Sequence, residues 1–247
     1  MGFGSAAAAV IYAVFRTGVR VLAWVILGRR MRIDGMERMP RTGAVLVIGN
    51  HVGTVEPALT GVFIPRRDVY YMAKSELFRN PLLGWLFRQN HAFPVVRKTA
   101  DRAALRAALA VLASDHVLLV YPEGTRSWDG HIIGEIQAGA GFIARHSGAL
   151  VVPVASWGSE RVIPRGSWIP RPADVELRIG EPFHLPSLGR DGRPLSSREA
   201  AAIMMERVIA LLPRERRPVG AEMRTFGSED APRGSGGAPL GGRSPAA

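Results

Sequence analysis

An α/β domain with a largely parallel central sheet, covered by helices, is what this sequence predicts, and three observations carry that expectation. Short apolar runs alternate with segments of helical periodicity, the order that builds parallel sheets. Runs such as "AVLVI" and "VLLV" are apolar without alternation, as in buried strands. The 247 residues are enough for one sizeable core. The expected division is a membrane-anchoring helix in residues 1–32, an α/β domain in 33–212, and a disordered Pro/Gly/Arg-rich tail in 213–247.

The first element is the stretch "AAAAVIYAVFRTGVRVLAWVIL", apolar except at Arg16, Thr17 and Arg20. Arg16 and Arg20 are four apart and share one helical face. Arg29, Arg30 and Arg32 follow at once, and no small-residue cleavage site marks a signal peptide. A span would hold two arginines near its middle, each costing about 2.5–3.5 kcal/mol on insertion scales. The favoured expectation is therefore a monotopic helix in the interface of an anionic phospholipid membrane. Flanking arginines would be drawn to its headgroups by roughly 1 kcal/mol each. A span, and a helix packed on the protein itself, are the alternatives.

Next, "IDGMERMPRTG" reads as a turn-rich lead-in to the strand "AVLVIGNH", which ends at His51. Thr54 is the expected cap of a helix through Pro57–Phe63, with Pro57 suited to its first turn. "DVYYMAKSE" is a strand running into a loop at Lys74, "NPLLGWLFRQN" an amphipathic helix, and "HAFPVVR" a short strand. "TADRAALRAALAVLASD" is the clearest helix, capped by Thr99 or Asp101. "HVLLVYPEGTRS" is a strand that stops in a tight turn, and "EIQAGAGFIARHSG" a helix closed by Gly148. "ALVVPVASW" and "VELRIGEPF" are further strands, and "SSREAAAIMMERVIALL" the last helix. No internal repeat is present.

Composition narrows the chemistry. The chain has no cysteine, which removes disulfides, thiolate zinc sites and cysteine nucleophiles. Its charge is +11, nearly all from arginine, with Lys74 and Lys98 the only lysines. Such a balance suits an anionic membrane or nucleic acid. No helix-turn-helix, zinc finger or RNA-binding aromatic platform accompanies it, so nucleic acid is not an expected partner.

Two stretches are chemically suggestive. In "GNHVGTVEP" a histidine stands at a strand mouth with a carboxylate five positions on. If the chain turns into a helix there, Glu56 can accept the proton on one imidazole nitrogen of His51, leaving the other to take a proton from a hydroxyl. The ordinary alternative is a loop histidine beside a glutamate favoured by a helix N-terminus. In "YPEGTRS", Gly124 permits a sharp turn whose N–H groups converge, and Arg126 offers a fork matched to phosphate. The alternative there is a surface turn with an exposed arginine. Lys74 and Arg97 also stand at strand ends. A parallel sheet would bring His51, Lys74, Arg97 and Arg126 to one edge.

"NHVGTVEP", "AFPVVR", "YPEGTRS" and "ALVVPVAS" stand in the order and spacing of the four blocks of the glycerolipid acyltransferase family. Over Ile33–Phe183 the sequence resembles that family's 1-acylglycerol-3-phosphate (lysophosphatidic acid) acyltransferases. The resemblance implies transfer of a fatty acyl group from an acyl thioester, acyl-CoA or acyl carrier protein, to a lysophospholipid hydroxyl. His51 would be the base, Glu56 its orienting acid in the place of a usual aspartate, and no acyl-enzyme, metal or cofactor would be needed. Lys74 is a candidate for the acceptor's phosphate from its strand-end position. Arg97 would bind glycerol phosphate, Glu123, Gly124, Thr125 and Arg126 would form the third block with Arg126 on the phosphate, and Pro153 would shape the wall near the acyl donor. The implied place is the cytoplasmic face of a membrane. The sequence departs from the family pattern at Glu56 and at Gln137, where a lysine is frequent. Another lysolipid or glycolipid acceptor therefore stays open, as does the remote alternative of a basic, non-catalytic binding protein.

Overall fold

The sheet is assembled from strands that the sequence makes apolar and helices that it makes one-sided. The computed structural model describes residues 6–218 apart from 67, 98, 100, 124–135, 165 and 190. In chain order its elements are α1 (Ala6–Leu27), β1 (Met31–Asp34), β2 (Val45–Gly49), α2 (Glu56–Phe63), β3 (Val69–Lys74), α3 (Pro81–Gln89) and β4 (Ala92–Val95). They are followed by α4 (Arg102–Ala113), β5 (Val117–Val120), α5 (Ala138–Ser147), β6 (Leu150–Trp157), β7 (Val175–Ile179) and α6 (Ser197–Leu211). The seven strands lie in the order β1-β7-β6-β2-β5-β3-β4. Every neighbouring pair is parallel except β6–β7.

β2 is central and wholly buried, so both of its faces need cover. Leu46 and Ile48 point into a cluster with Ala108 of α4, Ile143 of α5 and Met204 of α6. Val45 and Val47 point the other way, toward Met39, Val152, Val154 and Ile64 just beyond α2. The α5–α6 crossing is close because Gly141 has no side chain: a Cβ there would lie 1.8 Å from the Ser197 carbonyl oxygen. Three helix termini follow from local chemistry. Asp101 accepts from the N–H groups of Ala103 and Ala104, Gly148 closes α5 in the left-handed region, and Ser196 with Glu199 forms a reciprocal capping box.

Arg16 and Arg20 of the N-terminal helix share one face, as their spacing predicts, and that face holds the helix to the domain. Arg16 is 6% exposed, and its guanidinium donates to the carbonyls of Gly61 (3.3 Å), Ile64 (2.5 Å) and Arg66 (2.6 Å). Arg20 donates to the Val62 carbonyl at 2.7 Å. Those carbonyls belong to the C-terminal end of α2 and the turn after it, where the helix dipole is negative and cations are favoured. Tyr12, one turn before Arg16, stacks on His91 with ring centroids 4.3 Å apart. Farther along, Ala23 and Leu27 pack with Leu59, Val162 and Val175. The opposite face leaves Val10, Val14, Leu22, Trp24 and Val25 exposed.

Four expectations need correction. Met31–Asp34, read as the end of the anchor and a turn, is an edge strand that runs across the boundary set at residues 32 and 33. Its four residues alternate between half-buried and exposed, which is too short a pattern to read in a sequence. Thr54 does not cap α2: the helix starts at Glu56 after Val55, with no side-chain cap. The "EIQAGAG" helix begins at Ala138, with Gln137 as its N-cap, while Glu135 lies outside the described residues. Residues 213–218 are not tail: Arg214–Arg216 form a 3-10 turn, and Arg216 pairs with Glu160 at 3.1 Å. Residues 219–247 lie outside the described residues.

Candidate active site

In a parallel sheet the carboxyl ends of the strands share one edge, and this one gathers most of the reactive residues. β2 ends at Gly49, and Asn50 then clips the chain to β6. The Asn50 amide nitrogen donates to the Ser156 carbonyl at 2.8 Å, and the Ser156 N–H donates to the Asn50 side-chain oxygen at 2.8 Å. This reciprocal pair extends the β2–β6 ladder past its last paired residues, Gly49 and Val154. The backbone that follows is fixed from two sides. The His51 N–H donates to Oε1 of Glu123 at 3.0 Å, and Glu123 stands three residues past the end of β5.

The chain then turns into α2 and carries Glu56 back under His51. Nδ1 of His51 lies 2.9 Å from Oε2 of Glu56. The same oxygen accepts from the N–H of Val52 at 2.9 Å and of Gly53 at 3.5 Å. Gly53 is required where it stands, since a Cβ there would lie 2.5 Å from Oγ of Ser159. Glu56 is 0% exposed and His51 7%. The Tyr121 ring stacks on the imidazole, with centroids 4.6 Å apart and planes at 26°.

Burial is the strongest influence on Glu56 and pushes its carboxyl up to about 8. The Ser156 hydroxyl and the N–H groups of Val52 and Gly53 oppose that rise, while the charge of Glu160 adds to it. Burial, then the charge of Glu56, raises the Tyr121 hydroxyl well above its usual range. Oε2 of Glu56, accepting from Nδ1, selects the imidazole tautomer whose Nε2 carries a lone pair. That is the form able to accept a proton from a hydroxyl.

The other residues singled out in the sequence fall into three groups. Lys74 is the last residue of β3 and pairs with Glu76 at 3.1 Å, and Arg97 stands exposed just beyond β4. Because the sheet runs β2-β5-β3-β4, the strand ends at His51, Glu123, Lys74 and Arg97 follow one another along the edge. Pro153 is set apart from them. It is buried in the body of β6 opposite Ile48, on the face covered by α6, near Leu211 and Gly180. Gly124, Thr125 and Arg126 lie outside the described residues. Gln137 donates its backbone N–H to the Pro122 carbonyl at 2.8 Å. Among the described residues, no group of three or more His, Asp or Glu is placed to hold a metal ion.

Sequence reasoning overlooked Asn50, Tyr121 and Ser156. Asn50 stood beside His51 and Tyr121 two positions before Glu123, but the lateral order β6-β2-β5 that brings them to the site cannot be read locally. Ser156 offered no signal at all until that register was known.

The comparisons with known proteins give this architecture its class. A crystal structure of the 1-acyl-sn-glycerophosphate acyltransferase PlsC from Thermotoga maritima matches with a TM-score of 0.65 and 27% identity, over 81% of this chain and 78% of that one. The 1-acyl-sn-glycerol-3-phosphate acyltransferase of Bacillus subtilis is 30% identical over 184 residues, 74% of this chain and 87% of that protein. The Streptococcus pneumoniae protein of the same name is 27% identical over 149 residues, 60% of this chain and about half (54%) of its own length. An α/β O-acyltransferase is the class these likenesses define. The family model for Acyltransferase matches residues 30–157, more than half of the chain, and the protein belongs to that family.

Proposed function

We propose that this enzyme transfers a fatty acyl group from a thioester to the free hydroxyl of 1-acylglycerol-3-phosphate, yielding phosphatidic acid. The observation that carries the reading is the buried His51–Glu56 pair, 2.9 Å apart at the carboxyl edge of the sheet. Glu56 accepts the proton on Nδ1 of His51, and Nε2 removes the proton of the acceptor hydroxyl. The oxygen attacks the thioester carbonyl, the C–S bond breaks, and the thiolate leaves with the proton that His51 took up. No acyl-enzyme forms, and the transfer as written uses only these two side chains and the two substrates.

The acceptor's phosphate is assigned to the basic strand ends beyond His51. Neighbouring strands are about 4.8 Å apart, so β3 lies about 10 Å and β4 about 14 Å from β2 along the edge. Lys74 and Arg97 are assigned to bridge part of that distance on binding, with Arg126 of "YPEGTRS" as the third cation for the same phosphate. Glu123, which fixes the His51 backbone, is thereby a positioning residue as well as part of the third block. Pro153 is assigned an indirect share in the donor wall, through the strand it stiffens.

The membrane is the second partner. α1 is long and apolar enough to cross one. Its two arginines, however, are held by carbonyls at the end of α2. A span would drag that end of the domain into hydrocarbon, whereas lying in the interface lets Val14, Leu22, Trp24 and Val25 insert while Arg16 and Arg20 stay where they are. Trp168, 94% exposed at the tip of the loop before β7, stands beside Ile169 and offers a second apolar contact. The cytoplasmic leaflet fits both the basic charge and the supply of acyl-CoA or acyl carrier protein.

The test is mass-spectrometric identification of product after purified enzyme meets a panel of lysolipid acceptors with either donor. Phosphatidic acid as the main product supports the reading. Acylation of a different lysolipid or glycolipid alone overturns the acceptor, and no acylated product with any pair overturns the activity.

A further inference from the structure

Glu56 takes all of its well-formed hydrogen bonds on one oxygen. Oε2 receives His51, Val52 and Gly53, while Oε1 is buried and has no partner at hydrogen-bonding geometry. A buried carboxylate oxygen without a donor is costly and calls for one nearby. Oγ of Ser156 is likewise buried and unpartnered. Its position is set by register: β2 and β6 pair through Gly49 and Val154, and the two-way bond to Asn50 carries that alignment to Ser156, opposite His51. Its hydroxyl is, after burial, the largest influence on the Glu56 carboxyl. A hydroxyl proton turns freely about its C–O bond, so a small adjustment makes the bond to Oε1.

We propose that Ser156 is a positioning residue for the base: its hydroxyl donates to Oε1 of Glu56, completing a Ser156–Glu56–His51 array. The array gives the glutamate at this position a physical reason. A carboxylate that must touch His51, the Val52 N–H and a strand on the far side of the loop needs the reach of the longer side chain. An aspartate would end one methylene short of β6. The other groups acting on Glu56 are His51, the stacked Tyr121, and Glu160, whose charge Arg216 offsets at 3.1 Å. Glu123 holds the His51 backbone.

The inference rests on the acyl-transfer reading, and the test separates the two. Wild type, Ser156→Ala, Ser156→Thr and Ser156→Cys are compared for kcat against pH, with whichever acceptor wild type uses. ¹⁵N-histidine NMR titration of the substrate-free protein gives a readout that does not depend on turnover. Ser156→Ala should lower kcat about tenfold, the scale of losing a hydrogen bond to a charged group. Because that bond lowers the proton affinity of Glu56, its loss should move the acid limb and the titration of the coupled His51–Glu56 pair, followed on the imidazole signals, to higher pH by about one unit. Ser156→Thr should keep both at wild-type values. Ser156→Cys, a weak donor of similar size, should follow Ser156→Ala, which keeps the test open if alanine does not fold. In a Glu56→Asp background, Ser156→Ala should change kcat by less than about twofold, because the coupling is gone. An active wild type whose acid limb and histidine titration ignore Ser156→Ala overturns the array, as does an equal loss in both backgrounds. A wild type inactive with every acceptor overturns the transfer reading, while the NMR comparison still decides the array.

Discussion

Replacing Arg16 by methionine separates two postures of the N-terminal helix. In the structure this guanidinium serves three carbonyls, those of Gly61, Ile64 and Arg66, and approaches the Tyr12 hydroxyl at 3.4 Å. Methionine keeps the unbranched apolar stem of the side chain and removes every donor. A hydrogen bond involving a charged group contributes about 1.5–3 kcal/mol, and a shared set contributes less than the sum of its members. The carbonyls left behind regain water only if α1 lifts, so the expected loss is about 3 kcal/mol. At about 2–4 °C per kcal/mol for a domain of this size, Tm should fall by about 6–12 °C. Near-UV circular dichroism in detergent micelles measures it, with binding to anionic vesicles followed in parallel. If Arg16 instead faced lipid headgroups, Arg16→Met would leave Tm unchanged and weaken vesicle binding by about 1 kcal/mol. That second pattern would refute the docking of α1 by its arginines.

Other outcomes follow from the same contacts. A carboxyl raised from about 4.5 to about 8 in the fold gives stability that is complete below about pH 4.5 and is lost as pH rises through about 8. Glu56→Gln, which keeps an acceptor on His51, should therefore melt higher than wild type at about pH 9 while transferring acyl groups far more slowly. Equal melting at both ends of the range would contradict the burial argument. Trp168→Ser should weaken binding to anionic vesicles about tenfold and leave Tm alone, since the ring packs on almost nothing. Arg97→Ala should raise the acceptor KM with little change in kcat, and an effect on the donor KM alone would move Arg97 out of the phosphate site.

The strands that build the sheet were legible because β2 and β5 are buried throughout and β6 everywhere past Leu150, so each reads as a near-continuous apolar run. α4 was legible from its periodicity and from Asp101. What escaped were features fixed by distant partners. The spacing of Arg16 and Arg20 showed correctly that they share a face. It gave no sign that the face meets the carbonyl end of α2, because α2 lies 45 residues onward in the Arg16–Gly61 contact. The start of α2 was legible to within one residue, but its cap was not: Thr54 has the chemistry of a cap, yet the residue three positions on is Pro57, which has no N–H to donate, and the helix begins after Val55 without a side-chain cap. The geometry around His51 was legible in outline from "NHVGTVEP", whereas Glu123 on its backbone, Tyr121 on its ring and Ser156 opposite it depend on the lateral order β6-β2-β5.

The central claim is that His51 removes the acceptor's proton while Glu56 orients it. Single-turnover formation of phosphatidic acid by His51→Ala, against wild type under the same donor and acceptor, tests it most directly. A general base contributes about 10²–10⁴ in rate, so turnover should fall by that factor while the protein stays folded at the assay temperature and vesicle binding stays at its wild-type value. A folded His51→Ala protein that still transfers within about threefold of wild type would contradict the account.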